Sequence, residues 1–233
     1  LASAEVAVVS LLAVLYASTA ILLLESYNYI PSGVATTIHF LYPLVVTLVM
    51  AWIFKEQMSS IIYVAVILSL LGVALLAWGN HSEGDFRRGV SLALVTVMTY
   101  AAYIVGVMRS RASKIDSIVL TFYVLAFGAV LFLLYAMATS GIAVVHGWGA
   151  WRDIIMLSIV STVLSDFTLI KAIKLIGSTK TSILGSMEPL TAVIVGVVYF
   201  GERMDVTSIA GLLLVIVAVV IVIVQSGESG AKR

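Results

Sequence analysis

Eight apolar runs, each near the length of a membrane-crossing helix, follow one another along this chain with only short links between them. They lie at approximately 6–24, 32–54, 60–78, 89–108, 117–138, 153–171, 179–200 and 207–224. About 20 mostly apolar residues cross the hydrocarbon core of a bilayer as a helix. Backbone groups in lipid must be bonded internally, and runs this long, with little two-residue alternation, specify helices rather than a barrel. The predicted fold class is therefore all-α, a polytopic membrane protein. Composition agrees, since 62% of the residues are hydrophobic and only 11% are charged, outside the range of soluble domains. The links hold most of the charges and helix breakers, and none is long enough for a folded domain outside the membrane.

The residue inventory also excludes several function classes. The chain has no cysteine, so disulfides, thiol catalysis and thiolate metal sites are absent. His39, His81 and His146 are too far apart for metal-ligand spacing, and no metal or cofactor is expected. Basic and acidic residues nearly balance at 13 and 12, which gives no basic surface for nucleic acid. No GxSxG elbow, HExxH helix or aspartate pair supplies the groups that an intramembrane hydrolase requires, so the chain is not expected to be an enzyme.

The chain also repeats itself in an inverted sense. Laid without gaps over LIGSTKTSILGSMEPLTAVIVGVVYFGERM, the segment YIPSGVATTIHFLYPLVVTLVMAWIFKEQM matches Ile30 with Ile176, Ser32 with Ser178, Pro43 with Pro189, Glu56 with Glu202 and Met58 with Met204. Each pair is separated by the same 146 residues as Pro43 and Pro189. Such self-similarity at one offset is the mark of an internal repeat. The second and seventh runs are five crossings apart, so the copies traverse the membrane in opposite directions, an architecture associated with alternating access. The expected whole is two halves of five helices, of which about eight helices are present here and the first two are missing. Residues 1–80 then form an incomplete N-terminal repeat of three helices, 86–226 a C-terminal repeat of five, and 227–233 a cytoplasmic tail. Lys and Arg fall nine on one side, from Lys55 to Arg233, and four on the other, Arg87, Arg88, Arg152 and Arg203. The richer side is expected to be cytoplasmic, which places the C-terminus inside the cell membrane.

At SMEPLTAVIVGVVYFGERM, and at its weaker copy HFLYPLVVTLVMAWIFKEQM, the sequence resembles the EamA-type proteins of the drug/metabolite transporter superfamily. The resemblance implies ten helices in two inverted halves, cytoplasmic termini, and transport of small metabolites, often export of amino acids or related zwitterions. Lipid, nucleotide-sugar or drug-like cargo is the alternative, as is a membrane scaffold or receptor that transports nothing. Expected partners are a small-molecule substrate and the bilayer, with oligomerisation left open.

The candidate site residues follow from what an apolar helix pays to keep them. An ionisable side chain near the bilayer centre costs a few kcal/mol and marks a polar pathway. Glu188, equivalent in the repeat to Tyr42, is such a group, suited to bind an ammonium or carry a proton; a structural carboxyl at a kink is the plainer alternative. Asp166 is a second, with Lys171 or Lys174 as expected partners. His39, one turn before Tyr42, titrates in the physiological range when solvated, although a lone histidine is more often packing. Tyr16, Tyr42, Tyr100 and Tyr103 lie deep enough to offer rings and hydroxyls to a cargo, whereas Tyr27, Tyr29, Tyr63, Trp148 and Trp151 read as interfacial anchors. Pro43 and Pro189 lack the N–H that would bond the carbonyls of His39 and Gly185. Both are expected to be hinges, with Gly185 part of the second.

Overall fold

A computed structural model describes residues 3–30, 32–55, 59–76, 86–139, 141, 144–185, 188, 191 and 206–230. The described residues are helical with short links and contain no strand. In chain order the helices are α1 (Ser3–Ser26), α2 (Ser32–His39), α3 (Tyr42–Trp52), α4 (Ser60–Leu76), α5 (Phe86–Arg109) and α6 (Ser117–Ala138). Next come α7 (Trp148–Met156), a π-helical stretch (Leu157–Leu164), α8 (Ser165–Ile176), α9 (Ser178–Leu184) and α10 (Val206–Gly230). Among the described residues four segments are long and apolar enough to span a bilayer: Ser3–Ser26, Arg87–Arg109, Ser117–Ala138 and the continuous Trp148–Ile176. Their outward faces are large and apolar, with Leu11, Phe122, Leu133, Met137 and Leu157 exposed, as befits a surface solvated by lipid.

α1 and α5 form the centre, with α6 on one flank of α1 and α2 and α3 laid along α5. The core between them holds Leu12, Met50, Tyr103, Ile104, Leu120 and Ile170, each nearly or fully buried. Gly106 of α5 lets Leu12 of α1 seat against its backbone: a Cβ there would lie 2.7 Å from Leu12 Cδ2. α4 and α10 make a second intimate pair by the same device. A Cβ on Gly72 would be 2.6 Å from the Gly211 carbonyl oxygen, so these two backbones meet with nothing between them. Small residues at such crossings are how helices gain packing energy in lipid, where apolar burial supplies no drive. α9 and α3 connect this pair to the centre.

The links are fixed by local chemistry. Asp116 caps α6, its Oδ1 accepting from the Ile118 and Val119 amides at 2.8 and 3.4 Å. The Lys174 ammonium donates to the Ile115 carbonyl and so ties the last turn of α8 to the same link. Between α8 and α9 the chain turns at Gly177, with φ 89° and ψ 161°, a region that essentially only glycine occupies.

Two helix expectations change. The run 32–54 is not one kinked helix but two, α2 and α3, separated by a turn at Phe40 and Leu41. Pro43 falls in the first turn of α3, where a missing N–H costs no helical bond, and the Leu41 carbonyl takes the Leu44 and Val45 amides instead. In the run 153–171, the helix is longer, 148–176, and contains the π-helical stretch. Of the run 179–200, α9, Gly185, Glu188 and Thr191 are described; Pro189 lies outside the described residues, as do Glu56 and Glu202.

Candidate functional site

The π-helical stretch leads directly into the site. Ser161 and Thr162 close to its end, then Ser165 and Asp166 at the start of α8, all line one cavity between the helices. A π turn is wider than an α turn and is found mostly at functional positions in helices. Here it turns a run of hydroxyls and one carboxylate to the same side. The cavity has a volume of about 330 Å3, and its remaining walls come from α1, α2, α5 and the segment after α9.

Of the seven pathway residues expected from the sequence, five meet in this lining: Tyr16, His39, Tyr100, Asp166 and Glu188. The other two, Tyr42 and Tyr103, are buried just behind it. Together the rings form a continuous aromatic row. Tyr16 lies 5.5 Å from Tyr103, which stacks on Tyr100 at 6.2 Å. Tyr100 in turn meets Tyr42 edge-on at 4.7 Å and His39 at 5.1 Å. Tilted and edge-to-face pairs at these separations are favourable beyond the area they bury.

Polar groups on this wall are anchored in a definite order. The Tyr103 hydroxyl donates to Asp166 Oδ1 at 3.0 Å, while Asp166 Oδ2 is buried and has no hydrogen-bond partner among the described residues. Asp166 thus bonds a phenol rather than either lysine expected for it. Lys174 is committed to the Ile115 carbonyl, and Lys171 lies over the Phe167 ring at 5.7 Å. Thr96 gives its one hydroxyl proton to the Ala93 carbonyl at 2.6 Å, so it accepts from His39 Nδ1 at 2.9 Å. His39 therefore carries a proton on Nδ1, with the hydroxyl fixing its tautomer. The Thr19 and Thr99 hydroxyls also bond each other at 2.7 Å, each lying in reach of a carbonyl of its own helix, Leu15 and Thr96 respectively. These two bonds join α2 and α1 to α5 at the cavity wall.

Gly185 and Glu188 differ from the simple hinge expectation. The Gly185 carbonyl is not left free by the following proline, because the Glu188 amide donates to it at 3.0 Å in a tightened i to i+3 turn. The Glu188 side chain is exposed at the cavity. The Tyr42 hydroxyl occupies the space where a Gly185 Cβ would stand, so α3 and the end of α9 touch through a phenol and a bare backbone.

Sequence reasoning missed the hydroxyls: Thr19, Thr36, Ser161, Thr162 and Ser165 line the same cavity. One signal was available. Ser161, Thr162, Ser165 and Asp166 recur at helical spacing in an otherwise apolar run, which gathers polar groups on one face.

The model of the EamA-like transporter family matches residues 87–224, more than half of the chain. The chain belongs to that family. Its relatives include the uncharacterized transporter YvbV of Bacillus subtilis, 26% identical over 203 residues, a match covering 85% of this chain and 65% of YvbV. An uncharacterized transporter of Synechocystis is 27% identical over 199 residues, covering 84% of this chain and 60% of its own length. An uncharacterized transporter of Archaeoglobus fulgidus is 26% identical over 197 residues, 84% of this chain and 69% of the relative. This EamA-like chain thus spans about two thirds of the length of these relatives. A solved crystal structure superposes with a TM-score of 0.80 over 94% of this chain and 76% of the other, at 16% identity, a likeness that concerns the fold alone.

Proposed function

We propose that this protein is a secondary transporter of small amine-bearing metabolites, amino acids and similar zwitterions being the class that the family resemblance implies, and that it works by alternating access. The single observation that carries this reading is the polar cavity itself. In a helical membrane protein of a transporter family, two carboxylates, a histidine and a row of phenols converge from helices far apart in sequence. Ionisable groups held within membrane helices are expensive and are kept where a polar solute passes. Small-molecule sites generally occupy about 300 to 1,000 Å3 with a few convergent polar groups on largely apolar walls. The cavity fits that description at the small end.

The repeat at an offset of 146 residues supports two inverted halves of five helices that rock about this cavity. In this scheme 1–80 belongs to the first half and 86–226 to the second. The turn between α2 and α3 at Phe40 and Leu41, just before Pro43, and the turn at Gly185, with Pro189 beyond it, are the hinges. The excess of Lys and Arg on one side supports a multi-pass protein of the cytoplasmic membrane with its C-terminus inside. No step of such a cycle makes or breaks a covalent bond, and the protein is not an enzyme.

Counterflow tests the reading. Protein expressed from its full reading frame is reconstituted in proteoliposomes loaded with an unlabelled solute, and uptake of the labelled solute is followed across a panel of amino acids, amines and nucleosides. Saturable exchange of an amine-bearing compound is expected. A folded preparation that exchanges nucleosides alone, or nothing, would reject it.

A further inference from the structure

Asp166 lines the cavity and carries a carboxylate oxygen that nothing among the described residues satisfies. The residue is 3% exposed, Oδ1 is held by the Tyr103 hydroxyl at 3.0 Å, and Oδ2 is buried without a partner. Buried polar atoms are ordinarily bonded, and an orphaned one marks a place where a ligand completes the site. A carboxylate oxygen with one partner missing accepts; it calls for a donor, and a charged donor makes the shorter and stronger bond.

The surroundings specify the donor further. The lining includes a second carboxylate, Glu188, and no lysine or arginine among the described residues. The undescribed segment 192–205 is apolar as far as Phe200, and its one basic residue, Arg203, falls in the link beyond that run. Beside Asp166 stand Tyr16 and Tyr100, whose ring faces attract a cation within about 6 Å of their centroids. No lysine or arginine among the described residues of this wall balances an anionic group on the cargo, and like charges brought together at a recognition site act as a filter against it.

We infer that the cavity binds its cargo through a cationic amine at the Asp166 carboxylate, flanked by the Tyr16 and Tyr100 rings, and that it favours a net positive amine over a zwitterion with the same body. The inference rests on the transport reading above for the word cargo, and sharpens it from amine-bearing compounds to cationic ones.

Three probes separate the charge from the body: 2-phenylethylamine, phenylalanine and 3-phenylpropionate share a phenyl ring and differ in their ionic groups. Equilibrium binding of each to the purified full-length protein is measured in detergent. The amine is expected to bind at least tenfold more tightly than phenylalanine, and the anion not at all. Asp166→Asn keeps the shape of the side chain and an acceptor for Tyr103 but removes the charge, and is expected to weaken amine binding by tenfold or more. Tyr103→Phe, which retains the charge, is expected to keep measurable preference for the amine. Equal or tighter binding of phenylalanine, absence of amine binding, or an Asp166→Asn protein that binds the amine as before would overturn the inference. Should Asp166→Asn fail to fold, the order of the three probes on the unaltered protein decides alone. Exchange in proteoliposomes keeps the two readings apart. Amine binding without exchange rejects transport and leaves the site standing, whereas exchange of zwitterions without preference for amines does the reverse.

Discussion

Glu188 and Asp166 are both carboxylates in apolar surroundings, yet their settings divide their roles. Asp166 is buried, with one oxygen fixed by a phenol; Glu188 is exposed at the cavity, on a turn closed by its own amide. A hydrogen bond to a charged group contributes about 1.5 to 3 kcal/mol. Glu188→Gln is therefore expected to slow exchange by roughly ten- to a hundredfold while the protein still inserts and folds. Unchanged exchange from the variant would remove Glu188 from the pathway. Gly185 offers a test of geometry rather than charge. A methyl there collides with the Tyr42 hydroxyl, and overpacking of this kind costs about 1 to 3 kcal/mol. Gly185→Ala should lower the unfolding temperature, and adding Tyr42→Phe, which deletes the obstructing oxygen, should recover most of the loss. Additive effects of the two substitutions would mean that they do not touch. Both carboxylates were legible in the sequence because a charge inside an apolar run stands out. The lining hydroxyls carry only the weaker signal of their helical spacing, since serine and threonine in membrane helices commonly bond their own preceding turn, as Ser158 and Thr168 do here to Ile154 and Leu164.

At the scale of elements, the ends of the described helices could be read from hydropathy to within about six residues, because length and apolarity are what a bilayer demands, while most of the run 179–200 lies outside the described residues. The interruptions of the helices could not. A proline in a long apolar run reads as a kink, whereas the chain around Pro43 resolves the same conflict by ending α2 and starting α3 afresh. The π-helical stretch before Asp166 leaves no mark in hydropathy, because its residues are as apolar as those of a regular turn. The joint between α8 and α9 shows how much a single backbone conformation can fix. Gly177 sits where φ is 89° and ψ is 161°, and only glycine accepts that geometry without strain. With α8 carrying Asp166 and α9 leading to Glu188, this joint sets the distance between the two carboxylates. Gly177→Ala is expected to destabilise the fold by about 1 to 3 kcal/mol, read as a lower unfolding temperature in detergent. An unshifted transition would show that the joint relaxes freely.

For the whole molecule, the sequence repeat and the cavity point the same way by independent routes. In the proposed arrangement the repeat relates segments that cross the membrane in opposite directions, and the cavity lies where residues from α1, α2, α5, α8 and the turn after α9 meet. The five expected residues in its lining are spread from position 16 to position 188, so no local pattern could have joined them. What brought them together is the packing of α1 against α5 and of α2 and α8 around that pair. The central claim is that this cavity opens in turn to each side of the membrane. These 233 residues contain no cysteine, which leaves the lining open to single thiols as reporters. Ser165→Cys places one beside Asp166, and an aqueous, membrane-impermeant thiol reagent can then be applied to right-side-out and inside-out vesicles. Modification from both faces, slowed in each case by an exchanging amine, is the result that alternating access predicts. Modification from one face only, with and without the amine, would contradict it.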